Sequence, residues 1–140
     1  MNVVNAVHPT NPEQIKGLGE DGPEGPIYMV NLLKFKEKAE YADGRETNLT
    51  GYEAYQIYAK AVFELLPKFG GRGFFAADVT FLALGEVEEL WDEVAIAIYP
   101  KRADMVRMAS STEWQEIGVH RAAGLAGQLN IETVAHPGSG

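Results

Sequence analysis

Few residues of this chain join an unusual position to a useful functional group. Asn31 is the most informative. It falls in the middle of Ile27-Tyr28-Met29-Val30-Asn31-Leu32-Leu33-Lys34-Phe35, a nearly continuous apolar run. A buried amide must find hydrogen-bond partners, and losing them costs about 1–3 kcal/mol. Asn31 therefore either orients a ligand or bonds nearby backbone. His120 and Arg121 come next. A histidine on a helix beside a pocket can act as a base near neutral pH or ligate haem iron. The other histidines, His8 and His136, stand near the chain ends, so no metal site is expected, and a half-buried structural histidine is the plainer role. Arg121 can reach an anionic group or pair with a carboxylate. Tyr55 and Trp114 each carry a polar tip on an apolar body and can flank a flat ligand, although the same spacing serves core packing. Arg72 follows Gly70-Gly71 as a possible ligand contact or a solvated strand end. Asp78 reads as a charge that discourages further strand pairing. The acidic run Glu86, Glu88, Glu89, Asp92 and Glu93 reads as a solvated turn.

Composition excludes several classes. The chain has no cysteine, which removes thiolate nucleophiles, zinc–thiolate sites and iron–sulfur clusters. Its net charge of −8 disfavours nucleic acid and acidic lipid surfaces, both of which need excess Lys and Arg. The start has neither a basic segment nor a long apolar run, so a cytoplasmic location with no membrane span is expected. Asn48-Leu49-Thr50 matches a glycosylation sequon, by chance on that reading. Phosphate-loop, dinucleotide and nucleophile-elbow motifs are lacking; Gly17-Leu18-Gly19 follows no strand.

The elements that must position these residues are legible from spacing. Residues 9–19 suggest a short helix capped by Thr10, and residues 20–26 a loop. Strand one is 27–35. Residues 37–48 read as an exposed loop or small hairpin. Thr50-Gly51-Tyr52-Glu53 is a capping box that opens a helix running to about Phe69, with Tyr55, Ala59, Val62 and Leu66 on one stripe. Strand two is expected from Arg72 to about Gly85, and strand three from about Trp91 to Tyr99. A short helix lies near 102–109, a longer one opens at Ser111-Thr112-Glu113, and strand four spans 128–134. This divides the chain into an N-terminal helix and loop (1–25), a main domain (26–134) and a loose tail (135–140).

The order β-α-β-β-α-β is the ferredoxin-like arrangement: an α+β fold with a four-stranded antiparallel sheet and helices on one face. Strands one and three should be central, two and four at the edges. Val94-Ala95-Ile96-Ala97-Ile98-Tyr99 is apolar on both faces, and strand four alternates Leu129, Ile131 and Thr133 with Gln128, Asn130 and Glu132. Helices can cover only one face of such a sheet. The apolar second face predicts a homodimer packed sheet to sheet.

Three stretches carry a resemblance: Met29-Val30-Asn31-Leu32-Leu33-Lys34-Phe35-Lys36, Tyr99-Pro100-Lys101-Arg102 with Met105 and Met108, and His120-Arg121-Ala122-Ala123-Gly124-Leu125. Across residues 26–134 the chain resembles an uncharacterised branch, of unknown function, of the dimeric α/β-barrel superfamily. The resemblance implies a dimer whose two sheets form a barrel and a small apolar pocket between sheet and helices, with no settled activity. The resulting expectation is a protein that binds a small apolar or aromatic molecule. As an enzyme it would be a cofactor-free monooxygenase or isomerase, with Asn31 orienting and His120 or Arg121 handling charge. The alternatives are a non-catalytic binding or interaction module and a haem-degrading monooxygenase. The pocket is expected over Asn31, closed by the helices that carry Tyr55 and Trp114.

Overall fold

A computed structural model describes residues 3–138; the first two and last two residues, including the end of the expected tail, lie outside the described part. The element order is α1 (Pro12–Leu18), β1 (Ile27–Phe35), α2 (Gly51–Leu65), β2 (Arg72–Asp78), β3 (Glu93–Tyr99), α3 (Arg102–Ala109), α4 (Thr112–Gly124) and β4 (Leu125–Thr133). The strands form one antiparallel sheet in the order β2-β3-β1-β4, so β1 and β3 are central as expected. This is the ferredoxin-like α+β arrangement. No helix of the described residues is long and apolar enough to cross a membrane.

Local chemistry explains most boundaries. Thr50 Oγ1 accepts from the Glu53 amide at 3.0 Å, and Glu53 Oε1 accepts from the Thr50 amide at 2.9 Å. These two bonds satisfy two free donors at the start of α2. α2 tightens into a 3₁₀ turn over Leu66–Phe69. Pro67 has no N–H to continue the α-helical ladder, and Gly70 closes the turn at φ 76°. The cap of α1 is Asn11, whose Oδ1 accepts from the Gln14 amide at 2.9 Å, rather than Thr10, whose amide donates to Gln14 Oε1 at 2.7 Å.

β2 is shorter than the apolar run suggested. It ends at Asp78 because its only partner, β3, begins at Glu93. Just before that, Asp92 still accepts from the Val79 amide at 2.9 Å but is tied to β1 as well. Its amide donates to the Leu33 carbonyl at 2.7 Å and its Oδ2 accepts from the Phe35 amide at 2.9 Å. Beyond Asp78 the chain leaves as an irregular arm on which Phe81 and Leu84 are exposed.

The two faces of the sheet differ in cover. Ile27, Met29 and Leu33 alternate along β1 and are buried under the helices. Ile27 and Met29 pack with Leu65, Leu66, Tyr99 and Met108, and Leu33 packs with Tyr55, Tyr58 and Leu125. The opposite face carries Tyr28, Val30 and Leu32, and across the ladder Ile96 and Ile131. The helices cover none of it. β4 inverts the usual alternation: Gln128, Asn130 and Glu132 lie on the helix-bearing side opposite Leu33, Asn31 and Met29, while Leu129 and Ile131 lie on the uncovered side.

The N-terminal segment pairs with the outer edge of β4, and α3 reaches its polar side. Ala6 bridges to Gln128, and Arg102 of α3 donates to the Gly17 carbonyl at 2.8 Å. Arg102 also grips Glu132 through Nε–Oε1 at 2.7 Å and Nη2–Oε2 at 2.8 Å. This hydrogen bonding holds the Glu132 carboxyl below its ordinary range. A depressed carboxylate stabilises the fold fully above its unfolded-state pKa and loses that contribution as pH falls through the folded value. The acid limb of a melting-temperature profile is therefore expected to be shallower in Glu132→Gln than in the wild type. The contribution is about 1 kcal/mol because the pair keeps some solvent contact. Parallel acid limbs for the two proteins would refute it.

Candidate functional site

The helices that roof the sheet are brought together by two glycines. A Cβ on Gly124 would lie 2.3 Å from the Gly51 carbonyl oxygen, and one on Gly51 would lie 2.1 Å from the Lys36 carbonyl oxygen. Lys36 donates to the Gly124 carbonyl at 2.8 Å, and Gly51 donates to the Lys36 carbonyl at 3.1 Å. The start of α2 and the end of α4 thus meet backbone to backbone. This contact sets the height of Tyr55 and Tyr58 on α2, and of Trp114 and Arg121 on α4, above the sheet.

Beneath them a polar constellation occupies the helix-facing side. Trp114 Nε1 donates to Tyr58 Oη at 3.1 Å. Glu93, the first residue of β3, pairs with Leu33 and Asp78 and so faces the helices. It is only 8% exposed, and Tyr55 and Tyr99 are each 7% exposed. Among the described residues, no hydrogen bond or ion pair reaches the Glu93 carboxylate or the Tyr55 and Tyr99 hydroxyls. Yet, again among the described residues, no fully enclosed side-chain polar atom is left without a partner. Each of these oxygens must therefore touch a space large enough for water. Along the same side, Ala95 and Ala97 are small and half-buried, and Ala76 of β2 is exposed. At the β2 edge the Phe63 ring of α2 lies against Gly73, and Ala76 further along the strand stays exposed.

The electrostatics follow from burial. Desolvation, with the nearby Asp78 charge second, raises the Glu93 carboxyl above its ordinary range. Desolvation also raises Tyr55, with Tyr58 and Glu93 adding to the shift and Arg121 opposing it. Tyr99 is raised by burial and then by Tyr58. Glu93 and the three tyrosines therefore share one electrostatic neighbourhood. It contains one carboxylate and two hydroxyls that have no hydrogen-bond partner among the described residues.

Of the residues singled out in sequence, Asn31, Tyr55, Trp114 and Arg121 lie on this helix-bearing side. Asn31 is engaged there. Its Nδ2 donates to the Ala95 carbonyl at 3.1 Å and the Met29 carbonyl at 3.4 Å, and its Oδ1 accepts from Asn130 Nδ2. Its cross-strand neighbour Ala95 packs against the cluster that contains Tyr55, Tyr58 and Trp114. Asn31→Leu is expected to lower the urea midpoint by an amount equivalent to about 1 kcal/mol, since Asn130 and two carbonyls lose a partner. An unchanged midpoint would make Asn31 free for a ligand instead. Arg121 donates to the Val7 carbonyl at 3.1 Å and lies 5.8 Å from the Trp114 ring centre, with no ion pair among the described residues.

His120 and Arg72 lie elsewhere. His120 Nδ1 is hydrogen-bonded to Tyr41 Oη of the 37–49 loop at 2.6 Å, and burial lowers its imidazole pKa. That loop is ordered by Ala39 and Tyr41, which are buried against Ala54 and Ala123. It borders an open hollow of about 800 Å³ lined by Tyr41, Arg45 and Lys38. Arg72 pairs with Ile98 and is exposed at the start of β2 on the uncovered face. Among the described residues no group of three or more acidic or histidine side chains could hold a metal. Glu93, which reads in sequence as part of a solvated turn, is instead a buried residue of β3, and Tyr58 and Tyr99 are not singled out by sequence. Strand parity would have placed Tyr99 opposite Ile27, but nothing in the acidic run separated Glu93 from its solvated neighbours.

No family model matches the chain, and no curated protein matches it. Solved structures do. RPA0582 of Rhodopseudomonas palustris, a protein of unknown function, is 29% identical with a TM-score of 0.81, covering 95% of this chain and 98% of its own. Its methylated form is 31% identical with a TM-score of 0.82, covering 96% of this chain and 99% of its own. The chain belongs to the RPA0582 family. The RPA0582 family fold extends to a dimeric ferredoxin-like protein of unknown function from Bacteroides fragilis. That protein has a TM-score of 0.53 and 13% identity, over 80% of this chain and 98% of its own. It extends also to a candidate antibiotic biosynthesis monooxygenase from Caulobacter crescentus, at TM-score 0.52 and 12% identity, over 81% of this chain and 92% of its own. Those two likenesses are of fold alone. Together these relatives bear out the expected fold and the resemblance to an uncharacterised branch.

Proposed function

We propose that this RPA0582-family protein is a homodimer that binds a small, largely apolar or aromatic molecule between the sheet and the helices of each protomer. The observation that carries the binding reading is the set of nearly buried, unpartnered oxygens on Glu93, Tyr55 and Tyr99 beside the aromatic walls of Tyr58 and Trp114. Polar groups taken that far out of water retain their cost unless something bonds them. A ligand or ordered water in the recess is the physical answer. The dimer reading rests on the uncovered apolar face. It is supported by the dimeric relative of the same fold. The catalytic form of this proposal is cofactor-free oxygenation or isomerisation, and turnover of a bound compound separates it from a non-catalytic binding module.

The test is a nuclear magnetic resonance screen with a set of phenol- and naphthalene-sized probes. Shifts are expected to concentrate on Tyr55, Tyr58, Glu93, Ala95 and Trp114. Shifts confined to the 37–49 loop, or none with any probe, would overturn the proposed site.

A further inference from the structure

We infer that Glu93 is the hydrogen-bond and proton acceptor of this recess, and that the recess selects neutral molecules bearing a hydroxyl donor, of the phenol or enol class, over anions. This rests on the proposed sheet–helix site and names its ligand chemistry.

The donor and acceptor inventory carries the argument. The Glu93 carboxylate accepts and cannot donate, and among the described residues nothing donates to it although it is 8% exposed. Any ligand that occupies the recess must therefore bring a donor to this carboxylate or leave it desolvated and bare. The Tyr55 and Tyr99 hydroxyls are also unpartnered and can donate to a ligand oxygen. Arg121 keeps its charge but stands by Tyr55 and Tyr58, with one donor on the Val7 carbonyl, while the charge that acts on Glu93 is the anionic Asp78. Asp78, cross-strand from Glu93, adds a second negative charge at the mouth. Ala95 and Ala97 on this side of β3 are small and half-buried, and the side chains nearest them include Tyr55, Tyr58 and Tyr99, which suits a ring. When the ligand hydroxyl gives up its proton, the O–H bond breaks, the electron pair stays on the ligand oxygen, and Glu93 becomes the neutral acid. A tyrosine hydroxyl then faces the new oxyanion.

The test uses 4-nitrophenol, whose ionisation is visible in its absorbance, with 4-nitroanisole as the probe that lacks the donor. Wild-type protein is expected to bind 4-nitrophenol in its neutral form and to raise the ionisation midpoint of the bound probe. Glu93→Gln, which keeps size and removes charge, should bind the neutral probe about tenfold more weakly, the effect of losing a charge-assisted bond. It should also return the midpoint to that of the free probe or below. Tyr55→Phe should weaken binding while leaving the raised midpoint in place, and 4-nitroanisole should not distinguish wild type from Glu93→Gln. An equally raised midpoint in Glu93→Gln overturns the role of Glu93 while leaving the site standing. Failure of wild type and Tyr55→Phe alike to bind either probe overturns the site and this inference together.

Discussion

Gly124→Ala is expected to melt far below the wild type or to fail to fold. The methyl group would sit 2.3 Å from the Gly51 carbonyl oxygen and 2.9 Å from the Tyr55 amide nitrogen. Both obstacles are backbone, so no side-chain rotation relieves them. Either the end of α4 must move away from the start of α2, or the Lys36 bonds to Gly51 and Gly124 must break. Overpacking a core costs about 1–3 kcal/mol where side chains can adjust, and here they cannot, so a loss at or above the top of that range is expected. Gly118, six residues earlier in the same helix, is the internal control. Its added methyl would meet only the Trp114 ring, at 3.5 Å, an ordinary contact. Gly118→Ala should therefore stabilise by up to about 1 kcal/mol through helix propensity. Thermal melts followed by circular dichroism check both. A Gly124→Ala protein that melts with the wild type would show that the helix crossing does not depend on this contact.

The pair Gly51 and Gly124 illustrates what the sequence could and could not disclose. Each was legible as local punctuation, one inside a capping box and one near a helix end. Their mutual contact joins residues 73 positions apart and has no local signature. Asn31 is similar. The alternation of β1 put it on the buried side, and its cost if unpaired was evident, but its partner Asn130 is 99 residues away. The strand order was readable because Val94 to Tyr99 is apolar on both faces, which only a central strand tolerates. β4 misleads by the same logic. Its polar residues imply a solvent face, yet they turn toward the helices, where Glu132 meets Arg102 and Asn130 meets Asn31. Glu93 was hidden by the four acidic residues before it. Their repulsion and solvation describe a turn, and the single register step that rotates Glu93 inward follows from pairing with Leu33 rather than from composition. His120 reads most plainly as a half-buried structural histidine, but its partner Tyr41 lies in a loop whose charge pattern suggests simple exposure.

Ile96→Lys is expected to convert the proposed dimer, of twice 15.3 kDa, into a folded monomer of 15.3 kDa. Ile96 pairs with Val30 on one side and Phe75 on the other, at the middle of the face the helices leave uncovered. Phe75 is 54% exposed and Ile131 45%, values that in a lone protomer place large apolar groups in water. Contiguous exposed apolar surface of this kind marks an interface. Two-fold symmetry brings each substituted residue to the interface twice, so one change buries two ammonium groups without carboxylate partners. The cost of an unpaired buried charge is several kcal/mol, enough to dissociate a dimer of ordinary affinity. In the monomer the same lysine stands half-exposed and can lay its stem along Val30 with its charge in water, so the protomer should keep its fold. Ile96 is preferred to Ile98 for this reason: Ile98 is 8% exposed within the protomer, and a lysine there would strain the monomer as well. Light scattering at micromolar concentration gives the mass, and circular dichroism shows whether the protomer is intact. A wild type that scatters as a stable monomer sinks the dimer. A wild-type dimer left undisturbed by Ile96→Lys moves the interface off this face, toward the exposed Phe81 and Leu84 arm. Unfolding of the variant is distinguished by Ile96→Thr, which keeps a β-branched side chain, introduces no charge, and should weaken association without abolishing it.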